Sequence, residues 1–243
     1  MLLKVKYAIA ESVKANPWTW HVVWNALPQI PFLLPHDKSY YGFTHLTGAG
    51  DGLFLDIGAN NGISAAGFRK LNRRYRILAL EANRIHVPAL ERLKRRIADF
   101  EYRITGVGSS AGSFRLFTPV YHSIPVHTHA SASRSYMEVA LRRDFPARIV
   151  DQMTIDEQTV EMLTIDSLNL SPNLVKIDVE GGEAAVLEGA ARVLAECNPI
   201  ILCEVHLEEA RITVERHLRE NGYHLQCLGQ TSRFPRLLFA RPD

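Results

Sequence analysis

Ionisable side chains gather at the carboxyl ends of two apolar runs in the second half of the chain. In Leu174-Val-Lys-Ile-Asp-Val-Glu180 charged residues alternate with apolar ones, and Ile200-Ile-Leu-Cys-Glu-Val-His206 repeats the pattern with Glu204 and His206 at its end. Successive side chains of a strand face opposite ways, so Lys176, Asp178 and Glu180 share one side, as do Glu204 and His206 in the next run. A strand buried on both faces is almost wholly apolar, and a buried charge is costly unless paired. Two charged strand ends therefore mean one of two things. Lys176 pairs with Asp178 or Glu180 in a network that pins the sheet, or Asp178, Glu180, Glu204 and His206 face a substrate, orient it and remove its proton. His206 is the first choice of base, because an unperturbed imidazole with a pKa of about 6.5 accepts a proton at neutral pH. The same acids could instead hold a divalent cation through oxygen, leaving positions open for a substrate oxygen.

A second constellation lies earlier, in Asp56-Ile-Gly-Ala-Asn-Asn-Gly62. Gly58 and Gly62 let the chain turn sharply and bring backbone N–H groups close to a ligand. The spacing is not G-x-G-x-x-G, which weakens a nicotinamide dinucleotide reading, since a pyrophosphate needs that close approach and a helix N-terminus. Glu81 follows Asp56 by 25 residues at the end of the next apolar run, where a carboxylate can accept both hydroxyls of a ribose. Asp56 could hold a cationic amino group directly or through water. An acid before the turn and another after the second strand suit S-adenosylmethionine, which carries an α-amino group and a ribose but no phosphates.

The elements that must position these groups follow from periodicity. Apolar runs at 53–57, 76–82, 102–107, 159–164, 174–180 and 199–205 alternate with amphipathic stretches at 62–71, 86–98, 183–196 and 207–220. In the first of these helices Ile63, Ala66, Gly67 and Leu71 face inward. Asn221-Gly222 ends the last helix, and runs at 224–228 and 236–240 are close enough for an antiparallel hairpin. Such alternation predicts an α/β domain, an open, doubly wound and mostly parallel sheet covered on both faces, with ligands at the carboxyl ends of its strands. Residues 113–118 predict a short extra strand, and 119–146 a long Ser- and His-rich stretch without clear period. There His127 and His129 would share a face if extended, but with no nearby Cys the zinc reading that they and His122 invite is weak. Trp18, Trp20, Trp24, Pro28, Pro31 and Pro35 predict an irregular N-terminal helical cap over residues 1–47, ahead of a main domain at 48–243.

With 243 residues, 47% of them hydrophobic, the chain is long enough for one sizeable core, and a net charge of +2 gives no electrostatic case for nucleic acid as partner. Cys197, Cys203 and Cys227 form no C-x-x-C pair and are odd in number, which fits a reducing, cytoplasmic setting. No run approaches the ~20 apolar residues of a bilayer span. Leu2, Leu3, Tyr7, Ile9 and Val13 could line one face of an amphipathic helix, expected to pack on the domain rather than meet a membrane. Arg69, Arg73, Arg74 and Arg76, with Arg92, Lys94, Arg95 and Arg96, are expected on solvated outer faces.

Taken in order, Leu55-Asp-Ile-Gly-Ala-Asn-Asn-Gly62, Leu80-Glu-Ala-Asn83, Val175-Lys-Ile-Asp-Val-Glu-Gly-Gly-Glu183, Val186-Leu-Glu-Gly189 and Glu204-Val-His206 resemble the FkbM-type S-adenosylmethionine-dependent methyltransferases, over residues 52–206. The resemblance implies a Rossmann-like class I methyltransferase fold and O-methylation of a hydroxyl on a sugar or secondary-metabolite acceptor, a small molecule or glycan. It implies that Gly58, Ala59, Asn60 and Gly62 line the cofactor, that Glu81 binds its ribose, that Val107 and Gly108 lie near the adenine, and that Asp178 approaches the methionine end or the substrate. Ala82 and Asn83 stand where the family more often has Pro after the acid, and Gly182 where Ala is usual. Two other functions remain open on the same fold: a nicotinamide-dependent oxidoreductase and a non-catalytic adenosine-binding module.

Overall fold

The computed structural model describes residues 51–206, 208–228 and 236–242, together with residues 18, 19, 22, 42 and 43. The expected cap over residues 1–47 lies outside the described residues except at those five positions. In chain order the elements are β1 (Leu53–Ile57), α1 (Ile63–Leu71), β2 (Arg76–Glu81), α2 (Val87–Lys94), β3 (Phe100–Ile104), β4 (Gly106–Val107), β5 (Gly112–Tyr121), β6 (Ile124–Pro125), α3 (Arg134–Asp144), α4 (Ala147–Val150), β7 (Met153–Leu163), β8 (Leu174–Ile177), α5 (Glu183–Glu188), β9 (Ile200–Val205), α6 (Glu208–Glu220), β10 (Tyr223–Leu228) and β11 (Arg236–Pro242). The described residues divide into two compact units, one holding residues 18, 19, 22 and 114–160 and the other residues 42, 43, 51–113, 161–206, 208–228 and 236–242.

The larger unit is built on a seven-stranded sheet of order β10-β11-β9-β8-β1-β2-β3. Its five strands from β9 to β3 pair in parallel, and β11 runs antiparallel to both β9 and β10. The C-terminal pair is thus the antiparallel hairpin that the sequence predicts, with its second strand inserted beside β9. Strand order reverses between β1 and β8, the place where an open α/β sheet leaves a crevice at its strand tips. The period of two buries both faces. Leu55, Ile57, Val175 and Ile177 pack with Val186, Leu187, Val214 and Leu218 on one face, while Phe54, Ala79, Leu174 and Leu202 pack with Phe43, Phe68 and Leu90 on the other. Phe43 and Phe68 meet edge to face, their ring centroids 5.2 Å apart.

Several expected boundaries change. The run at 102–107 splits, because Thr105 N–H donates to the Glu81 carbonyl and Gly106 and Val107 leave the main sheet to pair with Met162 and Leu163 of β7. The helix expected over 183–196 stops at Glu188. A Cβ at Gly189 would stand 2.1 Å from the Gly108 carbonyl oxygen, so two backbones meet where only glycine fits. The chain resumes as a π-helical turn, Val193–Cys197, its start capped by the Asp166 carboxylate, which accepts from the N–H groups of Arg192 and Val193 at 2.8 and 3.0 Å. Leu71, expected inward, is 39% exposed at the last turn of α1. Arg69, expected on a solvated face, donates to the carbonyls of Tyr75 and Ala98 at 2.6 and 2.8 Å and so ties the end of α1 to its neighbours.

The stretch expected to lack period is ordered. Within residues 114–160, α3 and a short 3-10 turn at His127–His129 pack through Val126, Met137, Leu141 and Phe145 against Phe117 of β5. The helical period is present in α3, which buries Met137, Ala140 and Leu141, but the exposed Val139 between them blurs it in the sequence. Among the described residues, no helix is long and apolar enough to cross a membrane.

Candidate functional site

At the tip of β1 the chain turns through left-handed backbone at Gly58 (φ 75°), Asn60 (φ 52°) and Gly62 (φ 83°). Gly58 and Ala59 donate to the Leu80 carbonyl at 2.9 and 3.2 Å, which binds the turn to the tip of β2. Glycine is required at both ends. A Cβ at 58 would lie 1.8 Å from the Asp178 carbonyl oxygen, and one at 62 would lie 2.1 Å from Leu93. Glu81 ends β2, and its carboxylate accepts from Asn60 N–H and from Asn83 N–H, both at 2.7 Å. Burial pushes this carboxyl up to about 7, with Asp56 and Asp178 adding to the rise and the two N–H bonds opposing it. Asn83, where the family more often places Pro nearby, supplies one of those donors and caps the following turn by accepting from Ile85 N–H at 3.2 Å. Gly182, in place of the usual Ala, leaves ordinary contact distance to Val179, 3.4 Å from a built Cβ.

Asp56 is fully buried, accepts from the Ser64 hydroxyl at the start of α1 and lies 3.9 Å from Lys176 Nζ. It fastens turn, helix and neighbouring strand together. Lys176, itself 2% exposed, donates to Asp178 at 3.0 Å, so the ion-pair reading of these strand ends holds for that pair. Asp178, 26% exposed, is the more open of these two acids. Its N–H donates to the Ile57 carbonyl at 3.0 Å, which sets it directly across the strand-order reversal from the glycine turn.

The run at 174–180 does not extend as a strand as far as expected. β8 stops at Ile177, and Glu180 lies beyond it in a left-handed turn (φ 52°) with Gly181 (φ 104°), so Glu180 is no longer placed by strand alternation. That turn carries Glu180 to within 3.4 Å of His206 Nε2, while Asp178 lies 3.6 Å from the same nitrogen. His206 Nδ1 is 3.0 Å from Oε1 of Glu183, a fully buried carboxylate that also accepts Gly181 N–H at 2.9 Å. Burial pulls the imidazolium down, but the Glu183 bond and the Glu180 and Asp178 carboxylates outweigh it and raise the pKa to about 10. The ring is therefore charged at neutral pH, which corrects the expectation that it titrates at its ordinary value. Burial pushes Glu180 up to about 7, opposed by His206 and assisted by Asp178, Glu204 and Glu183. Glu204, the single acid of β9, thus acts on this group through its charge.

Glu183 is the residue that sequence reasoning missed. An acid in the first turn of a helix ordinarily caps it in solvent, and only the arrival of His206, 23 residues later, makes this one an interior partner. Val107 and Gly108 reach the β2 side through the Thr105–Glu81 bond, and Gly108 N–H donates to the Leu163 carbonyl at 3.0 Å. The histidines of the smaller unit do not converge on a metal. His129 meets Asp144 at 3.0 Å and His122 meets Gln152 at 3.1 Å, and among the described residues the one potential ligand cluster is Asp178, Glu180 and His206.

A sheet of this order, with a glycine turn after its first strand and acids at four neighbouring tips, defines a Rossmann-like class I methyltransferase fold. The sequence model of the methyltransferase FkbM domain matches residues 56–225, and the chain belongs to that family of S-adenosylmethionine-dependent methyltransferases. Among solved structures, the FkbM methyltransferase of Methylobacillus flagellatus KT is 18% identical with a TM-score of 0.59, covering 84% of this chain and 47% of that one. The chain thus spans about half of that relative. Fibrillarin of Aeropyrum pernix with natively bound S-adenosylmethionine is 12% identical, TM-score 0.45, covering 84% of this chain and 76% of that one. Magnesium protoporphyrin IX methyltransferase of Synechocystis PCC 6803 with bound donor is 8% identical, TM-score 0.45, covering 93% and 83%. No curated protein is similar in sequence. Membership of this family sets the nicotinamide reading aside.

Proposed function

We propose that the chain transfers a methyl group from S-adenosylmethionine to a hydroxyl oxygen of a small-molecule or glycan acceptor. The observation that carries this reading is the contact between the two halves of the crevice, where the Gly58 turn lies against the Asp178 backbone. Gly58, Ala59, Asn60 and Gly62 line the donor, Glu81 accepts from its ribose hydroxyls, and Val107 and Gly108 border the adenine. Asp56 is a positioning residue, closed off by Ser64 and Lys176, and Asp178 faces the methionine end. The acceptor oxygen attacks the methyl carbon in line with the sulfonium. A C–O bond forms, the S–CH3 bond breaks with its electrons returning to sulfur, and the hydroxyl proton passes to the carboxylate pair Asp178 and Glu180.

His206, held as an imidazolium by Glu183, orients that pair, and Glu204 adds negative charge behind it. Alignment of donor and acceptor is worth up to ~7–11 kcal/mol, and proton removal adds a smaller factor. The test is calorimetry with S-adenosylhomocysteine followed by transfer of labelled methyl to a panel of hydroxylated glycosides. Binding at micromolar concentration with label on oxygen is the expected result; absence of binding overturns the reading.

A further inference from the structure

Asp178, Glu180 and His206 each offer one ligand atom, and those atoms lie within 4.8 Å of one another. His206 Nε2 stands 3.4 Å from Glu180 and 3.6 Å from Asp178, beyond the range of a good hydrogen bond. Donors sharing a metal with bonds of about 2.1 Å stand roughly 3.0–3.5 Å apart, which is close to this spacing. Behind the ring sits an independent sign. Glu183, with no exposed surface, directs one carboxylate oxygen at His206 Nδ1, and its other oxygen is buried without a hydrogen-bond partner. An outer carboxylate that takes Nδ1–H holds the ring with Nε2 toward Asp178 and Glu180, and a cation entering there displaces the Nε2 proton to water and takes its place between the two carboxylates, the arrangement that supports a metal-bound histidine. Charge points the same way. The strand tips and the turn after β8 bring together Asp56, Asp178, Glu183 and Glu204, with Glu81 and Glu180 part-ionised at neutral pH, against Lys176 and His206, and the donor would add one net positive charge, which leaves acid in excess.

We propose that Asp178, Glu180 and His206 bind a single first-row divalent cation of the Mn(II) or Zn(II) class, with Glu183 as positioning residue. One imidazole with two carboxylates disfavours Ca(II) and Mg(II), which prefer all-oxygen sets. Three protein ligands would leave positions open for an acceptor oxygen; with the ion bound, the carboxylates that take the hydroxyl proton in the metal-free reading would serve as ligands, and that proton would pass to water instead. That role rests on the methyltransferase reading; binding of the ion does not.

The experiment strips the full chain with a chelator and titrates it with MnCl2, without donor, following free Mn(II) by electron paramagnetic resonance. One ion per chain is expected, and the bound ion should show nitrogen modulation from a single imidazole in the wild-type protein. Asp178→Asn and His206→Gln should each weaken binding at least ~10-fold, and Glu183→Gln by ~10–100-fold through loss of ring orientation. Melting curves in chelator establish that each variant folds; where one does not, the wild-type nitrogen modulation decides. No binding of Mn(II) or Zn(II) at millimolar concentration, binding without nitrogen modulation, or unchanged affinity in a folded His206→Gln variant overturns the proposal. S-adenosylhomocysteine calorimetry on the same sample separates the two readings, since each can fail while the other stands.

Discussion

The tips of β1 and β2 and the tips of β8 and β9 solve the problem of buried charge in different ways. At the first pair, one carboxylate is held by backbone: Glu81 takes the N–H groups of Asn60 and Asn83. At the second, side chains hold one another, with Lys176 on Asp178 and Glu183 on His206. A backbone cradle has its shape before any ligand arrives, whereas a side-chain network depends on every member keeping its charge. The first region is therefore expected to bind, and the second to respond.

Changes that strike both regions break this contrast most severely. Gly58→Ala puts a Cβ 1.8 Å from the Asp178 carbonyl at a φ of 75°, and we expect a loss of roughly 3 kcal/mol in denaturant melts together with loss of donor binding. Next, Glu81→Ala should raise the S-adenosylhomocysteine Kd by about 100-fold in calorimetry, since hydrogen bonds to a charged group are worth about 1.5–3 kcal/mol each. Mn(II) affinity should stay within about 2-fold, because the change is confined to the first region. Conversely, His206→Gln should lower turnover by about 100-fold while the donor Kd moves less than about 2-fold.

Acidity sharpens the contrast further. If ribose hydroxyls donate to an ionised Glu81, as proposed, then with its pKa raised to about 7 by burial, donor affinity should fall by up to about tenfold per pH unit below that value. The linkage runs the opposite way for the empty protein. A carboxyl raised from 4.5 to about 7 on folding holds more protons in the native state, so its contribution to stability diminishes as pH rises through that window. Melting temperatures with and without S-adenosylhomocysteine between pH 5 and pH 8 should therefore converge toward acid, a window given by that same shift. The smallest effect belongs to Gly182→Ala, expected within about 0.5 kcal/mol of the parent because its φ of −96° suits alanine and Val179 stands at ordinary contact distance.

The same contrast explains what could be read from the sequence. Apolar runs such as Leu53–Ile57 and Ile200–Val205 announce themselves because both faces are buried, and the glycine turn does so because only glycine tolerates the approach to Asp178. Glu81 follows from its place after the second strand. Glu180 misled, since alternation kept it on a strand that ends three residues earlier, and a left-handed glutamate leaves no mark in a sequence. The break at Gly189 was equally hidden, because its cause is the Gly108 carbonyl, 81 residues away. The pKa of His206 belonged to the same class: it is set by Asp178, Glu180 and Glu183, which the turn after β8 brings to it, rather than by the residue itself.

At position 58 a lone hydrogen atom separates the loop that follows the first strand from the peptide that follows the fourth parallel one. No lever arm and no cushion of side chain lies between them. On the proposed reading, a shift that a donor imposes on the loop meets the Asp178 peptide directly, so occupancy on one side of the cleft bears on the other before an acceptor has entered.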